Sequence, residues 1–351
     1  MAARKEIVRD IVMEGMPLTK ALALADVPKS SYYYKATGER KGKAPSTHTL
    51  QNGVWVKDNK VVQAIENLLG QDFIDYGYIR TTEALKQLGY RINKKKVYRL
   101  MKEHKLLFKP HQRSSGKREY VEFTIHVCSR PFEVIELDIK YIYIQGLKRH
   151  SYLITMFDVF SRAALVWDLS LTRKSKDAVN LINQLINDWL IPLNLDPREL
   201  NIKIRTDNGS QFIAKKFRDH LELVQIANEY IRPATPQQNG HIESFHNTLT
   251  KLVCNKYYFE NIEEAKTTIK CFMEVYNNKR IMKSILYLPP LKFIQQWSEG
   301  KITCEVRNRR NQYLFRKKPT NQMSGDSSSE SSFVQTEFNK FLNNFNNPVP
   351  I

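Results

Sequence analysis

The sequence predicts a mixed α/β sheet with helices on its faces, preceded by two small all-α helix-turn-helix units. Three observations carry that prediction. From about residue 130, runs rich in β-branched and aromatic residues alternate with amphipathic stretches in the order βββαβαβαα, which describes a mixed sheet with covering helices. Before residue 110 the apolar residues recur at helical spacing in short segments. With 351 residues, 42% hydrophobic and 26% charged, the chain can bury a substantial core and divide into two or three domains.

Residues 1–35 are expected to form the first helix-turn-helix. "RKEIVRDIVMEG" places Ile7, Ile11 and Val12 on one face and stops at Gly15, and "PLTKALALADV" opens on Pro17, a residue suited to a first helical turn. "PKSSYYYK" follows, offering Lys29 beside Ser30 and Ser31, either as helix caps or as donors to phosphate. Residues 36–57 lack periodicity and collect Gly, Pro, Ser and Lys, so they are expected to be a linker.

The second helix-turn-helix is expected over residues 58–110. "NKVVQAIENLL" and "YIRTTEALKQLG" supply two helices, and "RINKKKVYRLMKEHKLL" supplies the third, with Asn93 as its N-cap. Lys94, Lys95 and Lys96 occupy that helix's first turn, where the dipole disfavours each cation by roughly a few tenths of a kcal/mol. A DNA phosphate backbone would compensate, and Arg99 adds to the same group.

After a second linker at 111–129, the sheet region is expected over 130–297. "FEVIELDIKYIYI", "HSYLITMFDVFS" and "RAALVWDLSL" read as strands, "SKDAVNLINQLINDWL" as a helix and "NIKIRT" as a short strand. "QFIAKKFRDHLEL" is helical, "QIANEYIRP" extended, and "NGHIESFHNTLTKLV" and "IEEAKTTIKCFMEVYNNK" are helices. Residues 298–322 form a basic, aromatic C-terminal segment. Residues 323–351, rich in Ser, Glu and Asn, are expected to be disordered.

Charge narrows the choice of partner. A net charge of +19 and a pI near 9.6 suit a polyanion, double-stranded DNA first. Four scattered cysteines without a C-x-x-C pair argue against a structural zinc site and against a disulfide framework. The sequence shows no apolar stretch long enough to span a bilayer and no signal peptide, so a cytoplasmic location is expected, nucleoid-associated if the source is bacterial, with no membrane partner.

Three carboxylates sit awkwardly for purely structural roles. Asp138 lies mid-strand, where Asp is depleted. Asp207 ends a strand at the Asn208–Gly209 turn, where a capped turn and a reactive carboxylate both fit the local sequence. Glu243 lies one turn into a helix, on a polar line with Asn247 and Thr250 apart from the stripe of Ile242, Phe245, Leu249 and Leu252. Such a set suits Mg²⁺ or Mn²⁺, which take oxygen ligands and relieve carboxylate repulsion. Two ions about 4 Å apart serve phosphoryl displacement.

Asp207 and Glu243 are separated by 35 residues, within "RTDNGSQF" and "PATPQQNGHIESFHNTL"; Asp138 lies in "LDIKYI". This resembles the Asp, Asp, Glu triad of the retroviral-integrase superfamily. "MFDVFSR" and "YNNKRIMKSILYLPP" resemble further family segments, and "DYGYIRTTEALKQLGYRINKKKVYRLMKEHKLL" resembles the helix-turn-helix of OrfB-type insertion-sequence transposases. The resemblance covers residues 58 to 295. It implies a ribonuclease H-like five-stranded sheet and a DNA transposase that cuts element ends and joins them to target DNA. Asp138, Asp207 and Glu243 would hold two Mg²⁺ or Mn²⁺ ions, and a homo-oligomer would assemble on the terminal repeats. Gln237 and Asn239, in the third motif, would meet DNA.

Two departures from the family pattern stand out. Relatives carry a Lys or Arg seven residues after the Glu; here Thr250 holds that place, and Lys251 becomes the expected phosphate-holding cation, ahead of His246. The extra N-terminal helix-turn-helix is the other, and suggests a self-contained transposase. The rival readings are a catalytically inactive, transposase-derived regulator and a nuclease of the same fold.

Overall fold

The computed structural model describes residues 2–34, 45–108, 128–231, 239–307 and 312–318. The chain divides into two compact units, residues 1–47 and 48–351.

The first unit holds α1 (Ala2–Met13), α2 (Leu18–Leu24) and α3 (Lys29–Tyr33). Val8, Ala21, Leu22 and Val27 form its core, with Ile11 and Val12 packed against them. The buried stripe of α1 is therefore Val8, Ile11 and Val12, at i, i+3 and i+4. Ile7, expected inside, is half exposed, because the stripe starts one residue later on the helix. Pro28 holds the N-cap position of α3 and no side chain caps it, so Ser30 and Ser31 are not caps.

The second unit opens with β1 (His48–Gln51) and β2 (Val54–Lys57), a correction to the linker expected over 36–57. Asn52 and Gly53 join these strands with φ of 46° and 86°, as a tight hairpin turn requires. The Asn-Gly signal was present in the sequence, but the strands are too short to show a period. Three helices follow: α4 (Asp58–Leu69), α5 (Tyr78–Gln87) and, after β3 (Tyr90–Arg91), α6 (Lys94–Glu103). β1 pairs antiparallel with both β2 and β3. Gly89 approaches Asn52 so closely that a Cβ there would stand 1.9 Å from the Asn52 Oδ1, and its φ is +85°. Val61, Ile65, Leu85, Val97, Leu100 and Met101 form the core of this module.

The sheet region contains β4 (Val134–Ile144), β5 (Arg149–Asp158), β6 (Ala164–Ser170), α7 (Ser175–Leu185), α8 (Pro197–Leu200) and β7 (Lys203–Thr206). It continues with α9 (Ser210–Ile213), α10 (Lys215–Leu223), β8 (Ala227–Tyr230), α11 (Gly240–Leu249), α12 (Ile262–Asn278) and α13 (Pro290–Ser298). Strand order is β6-β5-β4-β7-β8. β4, β5 and β6 are antiparallel neighbours, and β7 and β8 run parallel to β4. This is the five-stranded mixed sheet that the sequence predicts.

Alternation along β4 and β5 builds two cores. Ile135, Leu137, Ile154 and Met156 pack beneath α7 and α10 against Ile182, Trp189 and Phe217. Ile142, Ile144, Leu153 and Phe157 face α11 and α12 through Phe245, Leu249 and Phe272. The single helix expected over 239–253 changes at Thr250 into a π-turn that ends at Cys254.

The expected basic C-terminal segment contains a hairpin, β9 (Ile302–Arg307) with β10 (Gln312–Lys317). Ile302 and Phe315 pack with Val134, Phe160 and Phe293, so the hairpin is part of the core. The tail expected at 323–351 and all but Cys128 and Ser129 of the linker expected at 111–129 lie outside the described residues. Among the described residues, no helix is long and apolar enough to cross a membrane.

Candidate active site

Sheet register brings two of the three expected acids together. Leu137 on β4 is registered with Thr206 on the parallel strand β7. Asp138 and Asp207 are the next residues along, on neighbouring strands whose backbones lie about 5 Å apart. β7 ends at Thr206, and the Asp207 Oδ1 accepts a hydrogen bond from the Gly209 N–H at 2.9 Å. The turn therefore fixes the carboxylate at the open end of its strand.

Glu243 stands exposed in the first turn of α11. One turn further, His246 is buried and its Nδ1 lies 3.3 Å from the Asp138 Oδ2. The helix is held to β4 at its start as well, because the Ile242 N–H donates to the Glu136 Oε2 at 2.7 Å. Ile242 carries one of the N-terminal amides that a helix cannot satisfy internally, and a carboxylate there is favoured by the dipole.

Glu136 belongs to a charged ladder beneath the site. It is registered with Arg205 on β7, and Arg205 with Glu229 on β8. The Arg205 Nη1 is 3.8 Å from Glu136, and its Nη2 is 3.1 Å from Glu229. Glu136 is fully buried, and burial pushes its carboxyl up to about 7 against the opposing pull of the Ile242 amide and Arg205. Next to this ladder, burial, with Arg162 and Arg205, pushes His241 down to about 3, which keeps it neutral. Glu136 is not among the acids singled out from the sequence; its signal was a Glu inside an apolar strand run.

The acids sense one another. Burial and then the neighbouring Asp138 charge raise Asp207, after allowance for the opposing Gly209 amide. Burial and Asp138 also raise Glu243. Asp138 is thus the shared electrostatic neighbour of both. Among the described residues no three His, Cys, Asp or Glu side chains close on a ready-made metal-holding group. The donor set is nevertheless hard carboxylate oxygen with mutual repulsion, which fits a hard divalent cation and is relieved by one.

The other expected contacts divide, some met as expected and others engaged within the chain. Asn93 caps α6 by accepting from the Lys96 N–H at 2.9 Å. Lys94 and Lys95 are exposed, as a phosphate contact requires. Lys96 and Arg99 are instead engaged within the chain: the Lys96 Nζ is 2.6 Å and the Arg99 Nη2 2.8 Å from Asp58. Asp58, in the first turn of α4, supplies the compensation that the sequence alone assigns to DNA. Lys251 meets Asp75 at 2.5 Å, and Arg280 reaches the same carboxylate at 2.8 Å. Burial works to raise Asp75, but Arg280 and Lys251 outweigh it and hold the carboxyl below its ordinary value. Thr250, which takes the family's cation position, donates to the His246 carbonyl at 2.8 Å. Asn239 is buried at the start of α11. Lys29 and Ser30 are exposed and Ser31 is partly so, while Gln237 lies outside the described residues.

Comparison with known proteins gives three family matches: an HTH-like domain over residues 57–114 and Integrase core domains over 129–236 and 224–290. The chain is 25% identical over 288 residues to InsK of insertion sequence element IS150 from Escherichia coli K12, described as a transposase, covering 80% of this chain and 94% of that protein. It is 28% identical over 229 residues to the transposase for insertion sequence element IS904 from Lactococcus lactis, covering 62% and 87%. The HTLV-2 integrase catalytic core domain in complex with magnesium aligns with a TM-score of 0.33 and 18% identity, covering 47% of this chain and 96% of that one.

Proposed function

We infer that this chain, an insertion-sequence transposase with an integrase-like core behind an HTH-like domain, cuts and joins DNA at an acidic centre formed by Asp138, Asp207 and Glu243. One observation carries the assignment. Asp138 and Asp207 follow a registered pair on adjacent parallel strands, and the helix bearing Glu243 is tied to the Asp138 strand through Glu136 and His246.

These residues would hold two Mg²⁺ or Mn²⁺ ions. Bound there, such ions would supply activation of the attacking oxygen and neutralisation of the leaving one. The protein's own part is geometric. The Gly209 amide orients the Asp207 carboxylate, His246 orients Asp138, and Glu136 fixes the helix start that presents Glu243. An Nδ1–H on His246 would donate to Asp138 and fix the orientation of its carboxylate, the usual task of a partner to a metal-binding carboxylate.

The partner is double-stranded DNA, both the ends of the mobile element and the target, with copies of the chain assembling on it. Lys94 and Lys95 on α6 and Lys29, Ser30 and Ser31 on α3 are the proposed phosphate contacts. The test is joining of a DNA end carrying the element's terminal repeat to a second DNA, with Mg²⁺ or with EDTA. Joining that requires the metal supports the reading. Cleavage without joining would point to a nuclease, and binding without either reaction to a regulator.

A further inference from the structure

Past Asp138, β4 and β5 run on as a ribbon beyond the end of β7. β4 pairs with β7 only from Val134 to Leu137, yet pairs with β5 as far as Ile144 and Arg149. One face of this ribbon is covered, with Ile142, Ile144 and Leu153 in the core beneath α11 and α12. The opposite face carries Tyr141 and Tyr143 from β4 and His150 and Tyr152 from β5, in cross-strand pairs Tyr141–Tyr152 and Tyr143–His150. Tyr141 is 51% and Tyr143 44% exposed.

The four rings form one continuous strip. Centroids lie 5.1 Å apart for Tyr143–His150, 6.2 Å for His150–Tyr141 and 5.2 Å for Tyr141–Tyr152, with interplanar angles of 65° to 83°. The Arg173 guanidinium closes the strip, 5.7 Å from the Tyr141 centroid and 5.4 Å from that of Tyr152. Lys148 and Arg149 stand exposed at the tip. Among the described residues no carboxylate forms an ion pair with Lys148, Arg149 or Arg173. Aromatic faces flanked by cations without a carboxylate partner are the chemistry of a surface for unpaired nucleic-acid bases and their phosphates.

We propose that this strip, Tyr143–His150–Tyr141–Tyr152 with Arg173, on the sheet face opposite Asp138, binds unpaired bases of a DNA strand that passes the acidic centre. The inference rests on the transposase reading and extends it to a second DNA subsite. Tyr141 and Tyr143 lie three and five residues beyond Asp138, or roughly 10 and 17 Å along the strand. Asp138 lies on the α11 face with His246, so a strand opened at the reacting phosphate would reach the strip by crossing the edge of β4 that β7 leaves unpaired past Leu137. Paired bases present no free face, so the subsite discriminates unpaired from paired DNA; Arg173 and Arg149 hold the phosphates.

The test compares the full chain's affinity for a blunt duplex and for the same duplex bearing a short thymidine tail. Wild type is expected to bind the tailed form about tenfold more tightly, as one stacked base would give. Tyr141→Ala with Tyr143→Ala should abolish that preference and leave blunt-duplex affinity unchanged. Tyr143→Phe should preserve it, because stacking needs the ring and not the hydroxyl; Tyr141 is left intact in this control because its hydroxyl accepts from Arg173. Absence of the preference in wild type, or its survival in the alanine pair, overturns the proposal while leaving the transposase reading in place. Failure of wild type to bind either duplex overturns both. If the alanine pair instead changes only the self-association of the DNA-free protein, the strip is a protein contact and the proposal falls.

Discussion

The carboxylate of Glu136, buried in β4, accepts the N–H of Ile242 at 2.7 Å, so the residue two before Asp138 holds the residue just before Glu243. A strand and a helix separated by a hundred residues of sequence meet at this bond. Glu136→Ala should lower joining about tenfold by freeing the first turn of α11. Glu136→Gln, whose amide oxygen still accepts the Ile242 N–H, should retain most activity. The comparison is read in single-turnover joining alongside thermal melting. Equal activity of the two variants would remove Glu136 from the positioning of Glu243.

Asp138→Asn, Asp207→Asn and Glu243→Gln should each reduce cleavage and joining more than about a hundredfold, beyond the 10–100-fold typical of groups that only orient a metal's ligands. DNA affinity should stay near wild type if these acids hold metal and are not the groups that contact bases or phosphates. Gel-shift and joining assays on the same preparations give the answer. Near-normal joining by any one of them would remove that residue from the triad.

In the basic first turn of α6, Lys94 and Lys95 are exposed while Lys96 is paired with Asp58. Replacing Lys94 and Lys95 together should flatten the log–log salt dependence of DNA binding, by about 0.9 for each DNA phosphate that is no longer neutralised. Lys96→Ala should instead leave the slope nearly unchanged and lower the melting temperature, since its ammonium is 2.6 Å from Asp58. A slope that falls equally for Lys96→Ala would show that the Asp58 pair opens on DNA.

Asp75 joins the HTH-like module to the sheet region through Arg280 on one side and Lys251 on the other. Asp75→Asn should destabilise the second unit by roughly 3 kcal/mol, as removal of one member of a buried pair does. Its folded pKa is depressed, so its contribution is fully present above the ordinary carboxylate value of 3.8 and is lost as pH falls through the lower folded value. Denaturant unfolding at neutral and strongly acidic pH measures this, with the wild-type advantage over Asp75→Asn shrinking only at the acidic end. A constant difference would assign the effect to packing.

Lys251→Ala tests whether that lysine also holds substrate phosphate. If its only contact is Asp75, the variant should lose some stability and keep joining of a pre-cleaved end within about twofold, as expected for an exposed ion pair. A strong loss of joining at unchanged stability would return Lys251 to the reacting phosphate.

The five strands of the sheet and its main helices were legible in the sequence, because each is a local period of two or 3.6, whereas the three acids became a candidate triad only through the resemblance, since Asp207 by itself fits a capped turn equally well. The His48–Lys57 hairpin escaped because four-residue strands carry almost no period, although Asn52–Gly53 marked the turn. Tertiary structure alone decided which charges meet. Lys96 and Arg99 looked free in the sequence because Asp58 lies far from them along the chain, and the same is true of Lys251 and Asp75. Nothing along the chain marks Glu136 as a partner of α11; only the packing of that helix across β4 brings the Ile242 amide to it. A sequence determines which residues repeat and alternate, since those depend on neighbours along the chain. The partner of a charged side chain depends on strand register and helix docking, and those are settled only when distant segments pack together.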